Sequence, residues 1–107
     1  MDEFLRKSLL YDYYNGLLTP KQREIYELYY HNDMSLSEIA GSGSTTPQAV
    51  SDMLRRVDGL LEKYEANLRL VENGECVKRK LERIAQLVHG DDAKQIGELL
   101  KDILDLV

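Results

Sequence analysis

The chain has no tryptophan, one cysteine, one phenylalanine and two prolines in 107 residues. The single Cys76 excludes an internal disulfide and any cluster of thiolate metal ligands, and it suits a reducing compartment. With proline only at positions 20 and 47, little interrupts helices elsewhere. No run alternates apolar and polar residues well enough to be a strand. Uninterrupted apolar stretches never approach the ~18 residues of a membrane span. The acidic start Met1-Asp2-Glu3-Phe4 has no apolar core of the kind a signal peptide needs, so a soluble cytoplasmic protein is expected. Positive charge is also short: 14 Lys and Arg face 19 Asp and Glu, for a net −5. That argues against a basic, sequence-blind coat for nucleic acid but leaves room for a small local basic face. No phosphate-binding glycine loop, dinucleotide fingerprint or nucleophile elbow occurs. Neither catalytic residues nor a cofactor is therefore expected.

What the chain does have is a globular composition, 43% apolar and 31% charged, at a length that fits one domain. Its periodicity is helical throughout. Leu5, Leu9, Leu10, Tyr13, Tyr14 and Leu17 predict a first helix over 2–16. Thr19-Pro20-Lys21-Gln22 is a start signal, with threonine as cap, proline at the first helical position and Gln22 closing a capping box. The helix it opens is expected to bury Ile25, Leu28 and Tyr29 and to stop near His31. Ser35-Leu36-Ser37-Glu38 is a second capping box, opening a very short helix with Leu36, Ile39 and Ala40. The glycines of Gly41-Ser42-Gly43 argue against its extension. Thr46-Pro47 repeats the cap-plus-proline signal and begins a long helix over 47–70, which Asn73-Gly74 is expected to break. A further helix carries Val77, Leu81, Ile84, Leu87 and Val88 and ends at His89-Gly90, with Gly90 in a left-handed cap. Asp92 is expected to cap the last helix, whose apolar face runs from Ala93 and Ile96 through Leu100 to Val107. The sum is an all-α fold of about six helices with one long central helix. We expect a single domain over 1–107, with a core over 1–70 and a C-terminal helical pair over 71–107.

The informative segment is 35–57, a capped short helix, a tight turn and a second capped helix. That is the layout of a helix-turn-helix, whose second helix offers its N-terminal side chains to a DNA major groove. Ile39, Ala40, Val50 and Met53 are the expected apolar contacts between the two helices. Gln48, Ser51 and Arg55 are the candidate base contacts, beside Asp52, with Arg56 placed for a backbone phosphate. The segment holds two basic residues (Arg55, Arg56) and two acidic ones (Glu38, Asp52) and is therefore neutral.

Other features favour structural roles. Of seven tyrosines, six precede residue 31. They suit the inner faces of two adjacent helices better than a base-stacking platform, since no arginine is interleaved with them. His31 and His89 lack a second ligand at metal spacing, so no metal site is expected. Lys78-Arg79-Lys80 with Arg83 reads as a solvated basic face that could meet RNA or an acidic helix. The apolar faces of the long helix and the last helix exceed what a small bundle covers from one side, which predicts a homodimer.

Taken in order, 17–22 (Leu17-Leu18-Thr19-Pro20-Lys21-Gln22), Glu27-Leu28-Tyr29-Tyr30, Ser35-Leu36-Ser37-Glu38-Ile39-Ala40, Gln48-Ala49-Val50 and Glu62-Lys63-Tyr64-Glu65 resemble the YlxM family of small bacterial proteins. More broadly, the Thr-Pro-Lys-Gln and Ser-Leu-Ser-Glu-Ile-Ala segments are similar to the promoter-reading C-terminal domain of bacterial sigma factors. The resemblance implies a regulatory helix-turn-helix protein, encoded beside the genes of the signal recognition particle and its receptor and acting in that pathway. It also exposes departures. Gly43 stands where the family carries an aromatic, Ser44 where it carries the turn glycine, Thr45 where it carries an aliphatic and Pro47 where it carries an arginine. The turn should be under-packed by about 2–4 kcal/mol, by comparison with large-to-small core substitutions, and one phosphate contact is gone. Two functions follow as expectations. The leading one is a non-enzymatic DNA- or RNA-binding regulator using Gln48, Ser51, Arg55 and Arg56. The alternative is a protein-interaction module in which the helix-turn-helix is a scaffold docking on a protein component of the signal recognition particle.

Overall fold

A computed structural model of the protein describes residues 2–106. Val107, expected to complete the last helix's apolar face, lies outside them, as does Met1. Six α-helices and one 3-10 turn account for the ordered elements of the described residues, which include no strand: α1 (Glu3–Tyr14), α2 (Pro20–Tyr30), α3 (Leu36–Ser42), α4 (Pro47–Leu68), α5 (Leu70–Leu87) and α6 (Ala93–Leu104). The all-α expectation holds, with α4 as the long central helix. The chain forms two compact units, 1–68 and 69–107.

In the first unit, α1, α2 and α3 each pack on α4. Asp2 caps α1 by accepting the Phe4 N–H at 2.9 Å. That helix gives way to a 3-10 turn over Asn15–Leu17, two residues sooner than expected. Both predicted capping boxes are present. Thr19 and Gln22 exchange bonds at 2.9 and 3.2 Å, and Ser35 and Glu38 do so at 3.1 Å each. Accepting these donors holds the Glu38 carboxyl below its ordinary range. The buried stripe of α4 is Val50, Leu54, Val57 and Leu61, at helical spacing. Leu54, rather than half-buried Met53, is the fully buried member of its pair. On α2 the buried residues are Ile25 and Tyr26, with Leu28 half-buried and Tyr29 at the surface.

Three buried tyrosines point their hydroxyls at carboxylates. Tyr11 donates to Glu27 and Tyr14 to Glu65, each at 2.5 Å, while Tyr26 donates to Asp58 at 3.1 Å. A buried phenol needs an acceptor, and these pairs let large apolar rings fill the core without an orphan O–H. The Tyr11 and Tyr26 rings stack with centroids 5.1 Å apart. Burial pushes both phenols well above their ordinary range, and the adjacent Glu27 and Asp58 push the same way. The tyrosines thus serve the core.

The second unit is the α5–α6 pair. The long helix ends at Leu68, not 70, and the chain turns at Arg69 in the left-handed conformation, φ 54°. The expected break at Asn73-Gly74 does not occur, because α5 runs through both residues. Val71, which is 2% exposed, anchors the first turn of this helix. One interior glycine costs only ~1 kcal/mol, which a helix of 18 residues can carry. Arg69 also clamps the helix start through Glu72, 2.9 Å away, a favourable place for a carboxylate. Helix α5 ends at Leu87 and Gly90 takes the expected left-handed φ, 98°. Asp92 occupies the cap position of α6 without a side-chain cap bond. Its backbone, at φ −90° and ψ 1°, lacks the extended geometry that aims a capping carboxylate at the helix.

Candidate nucleic-acid interface

The turn between α3 and α4 decides how the second helix is presented. Helix α3 continues through Gly41 and Ser42, further than expected, because its end is closed by hydrogen bonds. The Gly43 N–H donates to the Ile39 and Ala40 carbonyls at 3.1 and 3.3 Å, and the Thr45 N–H reaches back to Ala40 at 3.2 Å. The Ser42 hydroxyl donates to the Ile39 carbonyl at 3.1 Å. The residue inside this closure is Ser44, at φ 55°. This is a Schellman arrangement with serine at the left-handed position that usually belongs to glycine. Thr46 then caps α4, accepting the Ala49 N–H at 3.1 Å, and Pro47 sits where a missing N–H costs nothing. Ile39, Ala40 and Val50 are each buried to 3% exposure or less and hold the two helices together.

Gln48, Ser51, Asp52 and Arg55 follow the three- and four-residue spacing of one helix face, with Arg56 one step further round. That face lies opposite the buried stripe. Gln48, Asp52, Arg55 and Arg56 are exposed, and Ser51, nearer the core edge, is half-buried. The structure therefore brings all four candidates together over the first three turns of α4. Asp52 sits in their midst. Gln48 donates to its Oδ1 at 2.9 Å, and the Arg55 guanidinium lies 4.0 Å from the same oxygen. This face is thus a short polar network in which one carboxylate, Asp52, lies between the Gln48 amide and the Arg55 guanidinium.

Beside the turn lies a cleft of about 80 Å³, lined by Lys21, Ile25, Leu28, Ile39, Gly43 and Thr45 among others. Gly43, at the position where the resemblance puts an aromatic, is on its rim. Lys21, from the first turn of α2, is brought to the edge of this turn, a placement that sequence spacing did not signal.

The remaining candidates fall elsewhere. His31 caps the C-terminus of α2 and meets the edge of the Tyr11 ring at 5.5 Å. Cys76 is half-buried on α5. Arg79, Lys80 and Arg83 are exposed on α5 and Lys78 is half-buried, all in the second unit. No described helix is long and apolar enough to cross a membrane.

Comparison with known proteins agrees with this architecture. Residues 1–103 match the family UPF0122, described as "Putative helix-turn-helix protein, YlxM / p13 like". The chain is 46% identical over 87 residues to the UPF0122 protein of Caldanaerobacter subterraneus subsp. tengcongensis, covering 81% of this chain and 74% of that protein. It is 47% identical over 83 residues to one from Thermoanaerobacter sp. strain X514, covering 78% and 71% respectively. With the UPF0122 protein of Shouchella clausii it shares 38% identity over 105 residues, 98% of this chain and 96% of the relative. The chain belongs to the UPF0122 family of YlxM/p13-like helix-turn-helix proteins.

Proposed function

We propose that this protein is a non-enzymatic, cytoplasmic regulator that binds duplex DNA through the N-terminal turns of α4 and works in the signal recognition particle pathway. The observation that carries the reading is the presentation of α4. A capped helix start, locked to α3 by a hydrogen-bonded turn, leaves Gln48, Ser51, Arg55 and Arg56 on one outward face. In this reading Gln48 and Arg55 meet base edges, Ser51 meets a base or a phosphate, and Arg56 meets a phosphate, joined by Lys21 from α2. The two units act as one functional domain, the first binding DNA and the second pairing two copies. A homodimer would offer two such helices to the two half-sites of one duplex. No cofactor takes part. Membership of the signal recognition particle pathway rests on the family resemblance.

A specific observation favours a second reading. Asp52 already engages Gln48 and lies beside Arg55, and a carboxylate there opposes phosphate. In that case the same face docks on a protein component of the signal recognition particle. Fluorescence anisotropy with duplex DNA and structured RNA across a salt series separates the readings. DNA binding should weaken steeply with salt, and Arg55→Ala/Arg56→Ala should lower affinity through the lost Arg55 base contact and reduce the log–log slope by about 1 through the lost Arg56 phosphate contact. Absence of binding to duplex DNA and to structured RNA at low salt rejects the nucleic-acid reading. Retention of a protein partner from nuclease-treated lysate would then support the second.

A further inference from the structure

We propose that α5 and α6 form the dimer interface, packing face to face with the same two helices of a second copy to make a four-helix bundle. The proposal extends the homodimer named above by assigning its surface, and it can be tested without DNA. Helices α5 and α6 pack on each other across a five-residue connection, 88–92, so they run antiparallel. On these helices Leu100 is buried and Leu81, Ala93 and Leu104 are half-buried. A second apolar stripe on each helix stays uncovered. On α5 it is Val77, Ile84 and Leu87, the last 58% exposed; on α6 it is Ile96, Leu99 and Ile103, with Leu99 57% exposed. Leu106 just beyond α6 is 84% exposed.

These stripes follow the three- and seven-residue spacing of helix–helix seams. On each helix the exposed stripe is rotated by about a quarter turn from the buried one. Because the helices are antiparallel, that rotation brings both exposed stripes to the same face of the pair. The apolar surface left open is on the order of 500 Å² per chain, at the upper end of what a monomer exposes. Two such faces together approach the roughly 1,000 Å² of a specific interface.

Charge identifies the occupant. The outer flank of the α5 stripe carries Lys80 and Arg83, and that of the α6 stripe carries Glu98 and Asp102, all exposed. A twofold axis parallel to the helices places α5 of one chain against α6 of the other, twice. The basic flank then meets an acidic flank on both sides of the bundle. A basic helix beside an acidic one is self-complementary under that axis, so a second copy satisfies both flanks at once.

Analytical ultracentrifugation of the full chain, without DNA, tests this. We expect concentration-dependent dimerisation with a dissociation constant that rises with salt. Leu99→Lys should weaken it by about 100-fold, since the twofold axis removes the side chain twice and each partly buried leucine contributes about tenfold. Its circular dichroism spectrum should be unchanged, because Leu99 is largely exposed in the single chain. Lys80→Glu/Arg83→Glu and Glu98→Lys/Asp102→Lys should each weaken self-association, while an equimolar mixture of the two variants should recover a heterodimer. A wild-type chain that stays monomeric at the highest concentration reached overturns the proposal. So do charge variants whose mixture associates no better than either alone. DNA binding with or without dimerisation is read separately by anisotropy, so failure here leaves that reading to its own test.

Discussion

Ser44 occupies the left-handed position that closes α3, at φ 55°, and replacing it by glycine should stabilise the first unit. An L-residue in this conformation costs about 1–2 kcal/mol relative to glycine. The greater freedom of glycine in the unfolded chain returns about 0.4–1 kcal/mol of that. The net expectation for Ser44→Gly is a gain of roughly 0.5–1 kcal/mol, which for a domain of this size raises Tm by about 3–6 °C. Ser44→Val should lose at least as much, since a branched Cβ suits the left-handed region worst. Thermal unfolding followed by circular dichroism measures the global effect. Amide exchange at Thr45 supplies a local one, because its N–H donates to the Ala40 carbonyl across the same turn. Tightening the turn should slow that exchange by about two- to fivefold. A Ser44→Gly protein with an unchanged or lower Tm, or with faster Thr45 exchange, would refute the view that conformational strain at this residue limits the turn.

Other consequences can be checked independently. Gly43→Phe should lay a ring over the cleft beside the turn and raise stability by about 1 kcal/mol from the apolar area it covers. A Cβ at this site meets only the Ile39 carbonyl at 3.4 Å and the Thr45 methyl at 3.9 Å; a calorimetric Tm below wild type would show that the cleft cannot take the ring. Asp52→Asn should tighten duplex DNA binding by about three- to tenfold at low salt, because it removes one negative charge facing phosphate; equal affinity in anisotropy titrations would place Asp52 outside the interface. Stability should fall at high pH. The Tyr11 and Tyr26 phenols titrate higher in the folded than in the unfolded chain, so their contribution is complete below pH ~10 and is lost as pH rises above it. The loss should approach about 1.4 kcal/mol per pH unit for each tyrosine. Urea titrations at stepped pH should show Tyr26→Phe flattening that slope by about one proton. Acid should act on the Arg6–Glu62 pair, 2.7 Å apart, where the guanidinium holds the Glu62 carboxyl below its ordinary range. Its contribution is present at neutral pH and lost as pH falls through the folded-state value. With both partners about half exposed, Glu62→Gln should cost well under 1 kcal/mol at pH 7 by denaturant unfolding.

What was legible in the sequence was local. Thr19 with Gln22 and Ser35 with Glu38 announce their helices because a capping box is complete within four residues. The period of Val50, Leu54, Val57 and Leu61 sets the inner face of α4 and with it the outward set Gln48, Ser51, Arg55 and Arg56. What stayed hidden depended on distance or on conformations without a composition signature. The left-handed residue between α4 and α5 is Arg69, of a type that rarely takes positive φ, while the more suggestive Asn73-Gly74 lies inside α5. In Tyr26, Tyr29 and Tyr30, similar side chains crowd one helix, so periodicity alone cannot say which is buried. Tyr26 is chosen by its stack on Tyr11 and its bond to Asp58, 32 residues away. At the candidate interface, the approach of Lys21 to the turn is likewise a tertiary product of α2 packing on α3.

The tyrosine–carboxylate pairs also change how the shortage of positive charge bears on DNA. Glu27, Asp58 and Glu65 accept core hydroxyls, and Glu62 holds Arg6. These four carboxylates have structural partners in the first unit and lie outside the reading set of α4. Across positions 48, 51, 52, 55 and 56 the charges are those of Asp52, Arg55 and Arg56, for a local balance of +1. Fields from exposed charges fade over about 8–10 Å at physiological salt, so phosphates near that face respond to this balance far more than to the net −5 of the chain. A balance of +1 supports few phosphate contacts per chain, so a single copy is expected to bind weakly, and the salt dependence expected above would draw on the contacts of both copies of a pair. Useful affinity would then require two reading helices on one duplex, because linking two weak sites raises avidity without new contacts. The weak charge on α4 and the uncovered apolar face of α5 and α6 thus support the two proposals jointly: DNA binding through this surface gains most from a second copy.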